Sequence, residues 1–416
     1  MNNKQLAFPL LTLMLAMLVA VAPMAIDMYL PAIQIMAQDL QTPIHEVELS
    51  ISTFLFGFAI GQLFGGPLSD KFGRKPVIGL GLSIFILTSL ALTAVETLDN
   101  LLILRAIQAF GGGIAIVNSS AMVRDLFSGS DVARVLSTIS LVMMLAPLLA
   151  PMLGALTVEM FGWRTIFFIL AGYALFVLVI FLVKVPESRK KSESTSNESA
   201  LKIYKRVISH RHAMGYVMAI SFTFGGLFTF ITSAPFIFME HFGVDNSTFP
   251  FLFGANVLLL MVVNRINIRL LDRFDSKTLL KTGQMIQLVF GIAMIVAAWF
   301  DAGMFMVLAC SMGFIASLGL IGANSVSCCL NYFPDVSGSA NAVLGVTEFT
   351  LGAVAGVVWA LIHENFFPDL RLMPMAVTML GCAIAGIIAL RVLTRGSDAG
   401  YGAELVSDEE PLRKAS

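Results

Sequence analysis

Twelve separate apolar stretches run along this chain, at approximately 6–33, 49–69, 76–95, 99–122, 131–158, 163–185, 212–238, 249–271, 279–299, 303–329, 337–362 and 372–392. A helix that crosses a bilayer needs about 20 apolar residues, and each stretch comes close to or exceeds that length. The bulk numbers agree. Of 416 residues, 57% are hydrophobic and only 13% charged, roughly half the charged share of a soluble domain, and the mean hydropathy is +0.86. No water-soluble core absorbs that much apolar surface, so lipid is its natural sink. The expected fold is all-α, with twelve transmembrane helices. Lys4 followed by a long apolar run, with no small-residue cleavage site, reads as the first spanning helix rather than a removed leader. Cys310, Cys328, Cys329 and Cys382 all lie inside apolar stretches and read as buried thiols, not as a disulfide framework or a zinc site.

The connections are short except one. From Pro186 to Arg211 the chain carries RKKSESTSNES and then KIYKR, a polar, Ser-rich run expected to be a solvated linker. It divides the stretches six and six. The expected organisation is a six-helix bundle at 1–185, a cytoplasmic linker at 186–211, a second bundle at 212–392 and a cytoplasmic tail at 393–416. Basic residues set the orientation. With both ends cytoplasmic, only Arg105, Arg164 and Arg371 of the 26 basic residues fall on the outer side. The connection after the tenth helix carries only Asp335. The halves also echo each other: Asp70-Lys71-Phe72 after the second helix is matched by Asp272-Arg273-Phe274 after the eighth, and Lys75 by Lys277. Two related six-helix halves are a transporter architecture.

The densest polar pattern is Gly66-Pro-Leu-Ser-Asp70-Lys71-Phe-Gly73-Arg74-Lys75. Gly66 allows close helix contact and Gly73 a tight turn. Asp70 can accept hydrogen bonds from a neighbouring helix N-terminus, where the dipole favours an anion, and Arg74 can pair with a carboxylate on another helix. Arg105, Gln108 and Gly112 are spaced to share one face of the fourth helix. An Arg within an apolar helix faces a bundle interior or, near the boundary, snorkels to the interface. In the fifth helix Pro147, Pro151 and Gly154 share a face, where prolines kink and small residues let helices approach.

Two acids lie inside apolar stretches. Asp27 sits ~31 Å along the first helix from Leu6, at ~1.5 Å per residue, which leaves an interfacial place open beside a buried one. A buried carboxylate whose environment changes can switch protonation as access alternates. Glu348 lies ~16 Å from Ser337, close to the bilayer midplane. It is expected to contribute to cation preference or a second proton site.

The 66–75 stretch resembles the G-x-L-x-D-R-x-G-R-K/R signature of the major facilitator superfamily. Arg105-x-x-Gln108 resembles that family's fourth-helix motif, with Ala109 in place of a glycine. The Pro147–Gly154 stretch resembles the antiporter motif of drug exporters, with alanines at 150 and 155 where that motif has glycine. Asp27-Met-Tyr29-Leu-Pro31, Val123-Arg124-Asp125 and Trp163-Arg164-x-x-Phe167 are similar to stretches of the bicyclomycin-resistance-type (Bcr/CflA) drug:proton antiporters, and the similarity extends over nearly the whole chain.

The resemblance implies two pseudo-symmetric six-helix bundles and proton-coupled efflux of small apolar drug-like compounds by alternating access. It places Asp27 and Arg105 in proton coupling. Asp70, Arg74 and Asp125 would form a cytoplasmic charge network that locks helices 2, 3 and 4 against helix 11. A metabolite exporter or symporter on the same fold is the alternative. The expected setting is the bacterial inner membrane, with the chain as a monomer. Tyr29, Phe54, Phe58, Gln108, Phe224 and Phe228 are candidates for a substrate cavity, with Phe230 and the polar Asn256, Asn324 and Asn331 beside them. No Lys follows a Gly, which excludes a G-x-x-x-x-G-K phosphate loop. No enzyme activity, cofactor, metal site or nucleic-acid partner is expected; His210 and His212 sit in the basic linker.

Overall fold

The computed structural model describes residues 3–128, 130–188, 200–333, 336–367 and 371–395. The Ser-rich run 189–199, Asp335 and the tail beyond 395 lie outside them. The described residues form helices and no strand: α1 Asn3–Asp27, α2 Ile33–Asp39, α3 Ile44–Phe72, α4 Arg74–Leu92, α5 Leu98–Leu126, α6 Ser130–Phe161, α7 Arg164–Lys184, α8 Ala200–Ser209, α9 Arg211–Ala234, α10 Phe249–Leu270, α11 Ser276–Trp299, α12 Met304–Ala316, α13 Leu318–Leu330, α14 Ser337–Asn365 and α15 Met373–Leu393. They make twelve candidate membrane spans, six before the linker and six after it.

Three spans are not single helices. The first stops at Asp27, passes through a 3-10 turn at Leu30–Ala32 and resumes as α2. The seventh ends as α9 and continues as a π-helix over Pro235–His241, where proline removes a backbone donor. The tenth changes helix at Ser317. The first and seventh spans open the two halves, so the irregularities fall in related places. The linker is not wholly solvated coil: α8 packs on α9 and α14.

Small residues bring the helices of the first half together. A Cβ at Gly57 or Gly61 would run into the backbone carbonyl of Ala106 or Phe110 on α5, and one at Gly65 would stand 2.8 Å from the Ile114 carbonyl. Gly81 of α4 and Gly111 of α5 approach in the same way, each within 2.6 Å of where the other's Cβ would put it. Close backbone approach of this kind holds helices together where lipid offers no hydrophobic drive. Gly66, the residue expected to serve that purpose, instead faces the Tyr204 hydroxyl of α8. Large apolar side chains such as Leu87, Val183, Phe251 and Phe305 point outward and form the surface that lipid covers.

The halves meet along two antiparallel seams, α3 with α14 and α6 with α10. On the first, Gln62 lies against Gly345, Phe58 against Phe349, Ser52 against Gly356 and His45 against His363. Each step along α3 is matched by a step back along α14, so the register is unbroken across the membrane. On the second, Leu148 meets Gly254.

Candidate functional site

Asp27 is the last residue of α1, 3% exposed. The span continues to Asp39, so Asp27 lies roughly 18 Å inside its far end at 1.5 Å per residue. That depth removes the interfacial reading: the break in the helix, hidden inside an apolar run, carries the span well past Asp27. Gly154 of α6 makes this geometry fit, since a Cβ there would overlap the carbonyl oxygen of Met28. Pro151 is buried one turn away, and α6 runs unbroken through both prolines.

Asp27 borders a cavity of about 150 Å³ between the halves. Met143, Met144 and Pro147 come from α6, Phe230 and Ile231 from α9, and Phe253, Asn256 and Leu260 from α10. Asp27 is the one charged side chain among the lining residues. Asn256 accepts a hydrogen bond from Ser311 at 3.0 Å. Asn324 holds helices together, donating to Asn267 at 2.8 Å, and Asn331 is exposed at the end of α13.

Arg105 is sealed beside this cavity, 0% exposed. Its guanidinium lies between the rings of Tyr29 and Phe54, 4.4 Å from each centroid, a cation–π sandwich. Nη1 donates to the Ala25 carbonyl at 3.1 Å and to Gln108 Oε1 at 2.8 Å. Gln108 Nε2 in turn donates to Ser89 Oγ at 2.7 Å. Tyr29 and Ser50 share a hydroxyl–hydroxyl bond of 2.7 Å. Arg105 Nε and Nη2 have no partner, and no ion pair joins Arg105 to Asp27 among the described residues. The contact is indirect, through the Ala25 carbonyl two residues before Asp27. Tyr29 and Gln108 thus stand in the arginine's shell and not in the cavity wall.

The aromatic candidates assemble elsewhere. Phe54 stacks on Phe58, Phe58 meets Phe349 at 4.6 Å, Phe349 meets Phe228 at 5.8 Å, and Phe228 meets Phe224 at 6.1 Å. This row of rings bridges the halves at mid-depth. Glu348 is half-buried beside it on α14. Of the Phe candidates, Phe230 lines the Asp27 cavity, joined there by Phe253.

At the basic end, Gly73 turns the chain at φ 99°, a value glycine adopts without strain. Arg74 pairs with Asp70 at 2.9 Å and with Asp125 at 3.5 Å, and also donates to Ser69. The anion at the α4 N-terminus is not Asp70. Glu187 occupies it, accepting from Arg74 N and Lys75 N at 3.0 Å each, and Ser188 donates to Asp125 at 3.0 Å. The contact with α14 falls to Arg124, whose guanidinium lies over Gly338. An open recess of about 320 Å³, lined by Gln62, Arg74, Asn118 and Tyr204, opens there.

Two residues escaped the sequence reading. Glu187 looked like one more linker charge. Glu48, 0% exposed on α3, fell one residue before the apolar stretch that begins at 49. Its Oε1 accepts from Phe236 N at 2.9 Å, across the halves.

Twelve spans in two bundles, closed on a central cavity with a carboxylate, define a multi-pass membrane transporter. The chain belongs to the Major Facilitator Superfamily, whose family model matches residues 15–357. It is 32% identical to a protein from Haemophilus influenzae described as a bicyclomycin resistance protein homolog, covering 95% of this chain and 98% of that one. It is 28% identical to the multidrug resistance protein MdtL of Klebsiella pneumoniae, covering 93% and 96%. Among solved structures, a crystal structure of a D-xylose-proton symporter superposes with a TM-score of 0.73 at 14% identity, covering 92% of this chain and 97% of that one, which is a likeness of fold.

Proposed function

We propose that the chain is a drug:proton antiporter of the bacterial inner membrane, exporting small apolar drug-like compounds by alternating access. The observation that carries this reading is the central cavity, an apolar, methionine-rich wall interrupted by the single carboxylate of Asp27. Methionine adapts to ligands of varied shape, and a lone buried carboxylate can exchange a proton each time the cavity changes sides. The names of the relatives from Haemophilus and Klebsiella support drugs as cargo.

At about 150 Å³ the cavity is smaller than the ~300–1,000 Å³ that drug-sized ligands occupy. Cargo therefore binds when the seams part. In this scheme the basic end is cytoplasmic, following the charge distribution. The Asp70–Arg74–Asp125 network and Glu187 brace the first half at that end, and Arg124 against Gly338 joins it to α14 when the cavity faces outward. Outside protons load Asp27, drug enters from the cytoplasm or inner leaflet, and the two compete for the cavity. Arg105, fixed between Tyr29 and Phe54, holds the end of α1 next to Asp27 through the Ala25 carbonyl. Glu348 supplies a second titratable group next to the row of rings. A monomer suffices, with 1–185 and 212–392 rocking as the moving bodies.

Inverted vesicles acidified inside by respiration test the scheme. Adding an apolar cationic dye or antibiotic should drive protons out of the lumen. Proton movement into the lumen, in the same direction as substrate, would replace exchange by symport.

A further inference from the structure

Among the described residues, five buried side-chain polar atoms that lack a hydrogen-bond partner gather at one place on the α3–α14 seam. They are Glu48 Oε2, Ser52 Oγ, Thr232 Oγ1, Trp359 Nε1 and His363 Nδ1. Their proximity follows from contacts around them. Glu48 and Ser52 lie one turn apart on α3, and a Cβ at Gly356 would meet both Ser52 Oγ and Thr232 Oγ1. Phe236, whose backbone N–H donates to Glu48, sets its ring 4.7 Å from His363 and 6.4 Å from Trp359. Unpaired buried polar atoms are scarce in folded proteins, so such a concentration marks a place where more than packing is at work.

We propose that Glu48 is a further proton-binding site, separate from Asp27 and Glu348, which takes up a proton from the outer recess as that end of the transporter closes. The proposal rests on the transporter reading but not on the identity of the cargo. Three features favour a proton over any larger ligand. Glu48 is 0% exposed, which leaves no room for a solvated metal ion. One carboxyl oxygen already accepts a hydrogen bond, from Phe236, while the other is bare; a neutral carboxyl with its hydrogen on Oε2 fits that asymmetry. A recess of about 690 Å³, lined by His45, Phe236, Glu240, His363 and Arg371, opens beside the cluster on the far side from the linker.

The groups facing Glu48 offer no counter-charge in contact with it. His45 and Glu46 share its helix, Glu240 comes from the π-helical segment, and His363 and Glu364 come from α14; Arg371, just before α15, lines the recess beside His363 but does not touch Glu48. On the other side Tyr29 intervenes, and Arg105 is held against the rings of Tyr29 and Phe54. A carboxylate enclosed without a cation is far less stable than the neutral acid. Closing the seam therefore requires a proton on Glu48. The step balances simply: an O–H bond of hydronium in the recess breaks, one forms at Glu48 Oε2, and the carboxylate charge is cancelled. When the seam opens, the carboxylate meets water and can release the proton to the outside. His363, stacked on Trp359 with an unused ring nitrogen, lines the recess and is the group we assign as the relay.

The test needs no drug, so its outcome is independent of the cargo. Spin labels at exposed Asn100 and Asn365, in a background with the four cysteines replaced by alanine, report the outer separation in nanodiscs by pulsed electron resonance. The unmodified protein and Asp27→Asn should both shift toward the wide separation as pH rises from 6 to 9. Glu48→Gln should stay at the short separation throughout. If Glu48→Gln does not run as a monodisperse species, Glu48→Asp serves instead, and its midpoint should move by at least half a pH unit. A Glu48→Gln protein that opens with the ordinary midpoint or stands open at every pH overturns the proposal. So does an unmoved midpoint in Glu48→Asp, or an unmodified protein with no transition.

Discussion

Phe58 of α3 and Phe349 of α14 meet with ring centroids 4.6 Å apart, joining the two halves at mid-depth. The contact lies between the Gln62–Gly345 approach toward the basic end and the Ser52–Gly356 approach toward the other. The seam is thus closed at all three levels, while the Asp27 cavity lies by the other seam, between α6 and α10. Movement of one bundle against the other must break the aromatic contact, which makes this seam a hinge surface as well as a seal.

Gly154 is the most stringent packing position near the site. The Cβ of Gly154→Ala would overlap the Met28 carbonyl, and overpacking of this kind costs about 1–3 kcal/mol. A melting temperature lowered by several degrees in detergent is expected. Gly172→Ala has nothing within 4 Å of its new Cβ and should melt as the parent does.

Removing the cap on α4 should loosen the basic end. Glu187→Ala deprives Arg74 N and Lys75 N of their acceptor, a loss of about 1 kcal/mol by analogy with other caps. Glu187→Gln keeps an acceptor and should retain most of that stability. Protease cleavage in the linker, followed over time, should be faster in Glu187→Ala than in Glu187→Gln.

Asp275 predicts a pH effect at a second cap. Hydrogen bonds from the Thr278 side chain and backbone N–H hold its carboxyl below the ordinary value of 3.8. A carboxylate lowered on folding stabilises the fold above its unfolded value, and that share is lost as pH falls through the folded one. Comparing melting of Asp275→Asn with the parent should show a gap at pH 6 that narrows below pH 4.

Glu348→Gln removes the second embedded acid of the sequence reading. Export of neutral compounds should persist, while export of cationic ones drops several-fold and the pH dependence of transport changes. A susceptibility panel of cationic and neutral compounds in a host lacking its own efflux pumps reads this directly. Unchanged cationic export with an unchanged pH profile would leave Glu348 without a transport role.

What was legible in the sequence was set by long apolar periods and by rare charges within them. Asp27 and Arg105 stood out because each is alone in an apolar helix. The break after Asp27 was invisible because residues on both sides are apolar, so the span looked shorter than it is. Glu48 was hidden for the opposite reason: His45, Glu46 and Glu48 together look like a wet helix start, and only the arrival of Phe236 from the other half encloses Glu48. Gly57, Gly61 and Gly65 carry a visible four-residue spacing, yet which glycine meets which helix is a tertiary fact. That is why Gly66 was assigned a contact its neighbours make. Glu187 took the place given to Asp70 because the chain leaving α7 brings an acid to a helix end that sequence distance does not reveal.

The most direct measurement is proton-driven export by Asp27→Asn. The side chain keeps its size and loses its ability to exchange a proton in the cavity. The account predicts that this variant reaches the membrane in normal amount, still binds drug, and exports none against a gradient when a pH difference is imposed on proteoliposomes. Undiminished, pH-driven accumulation of drug by that variant would contradict it.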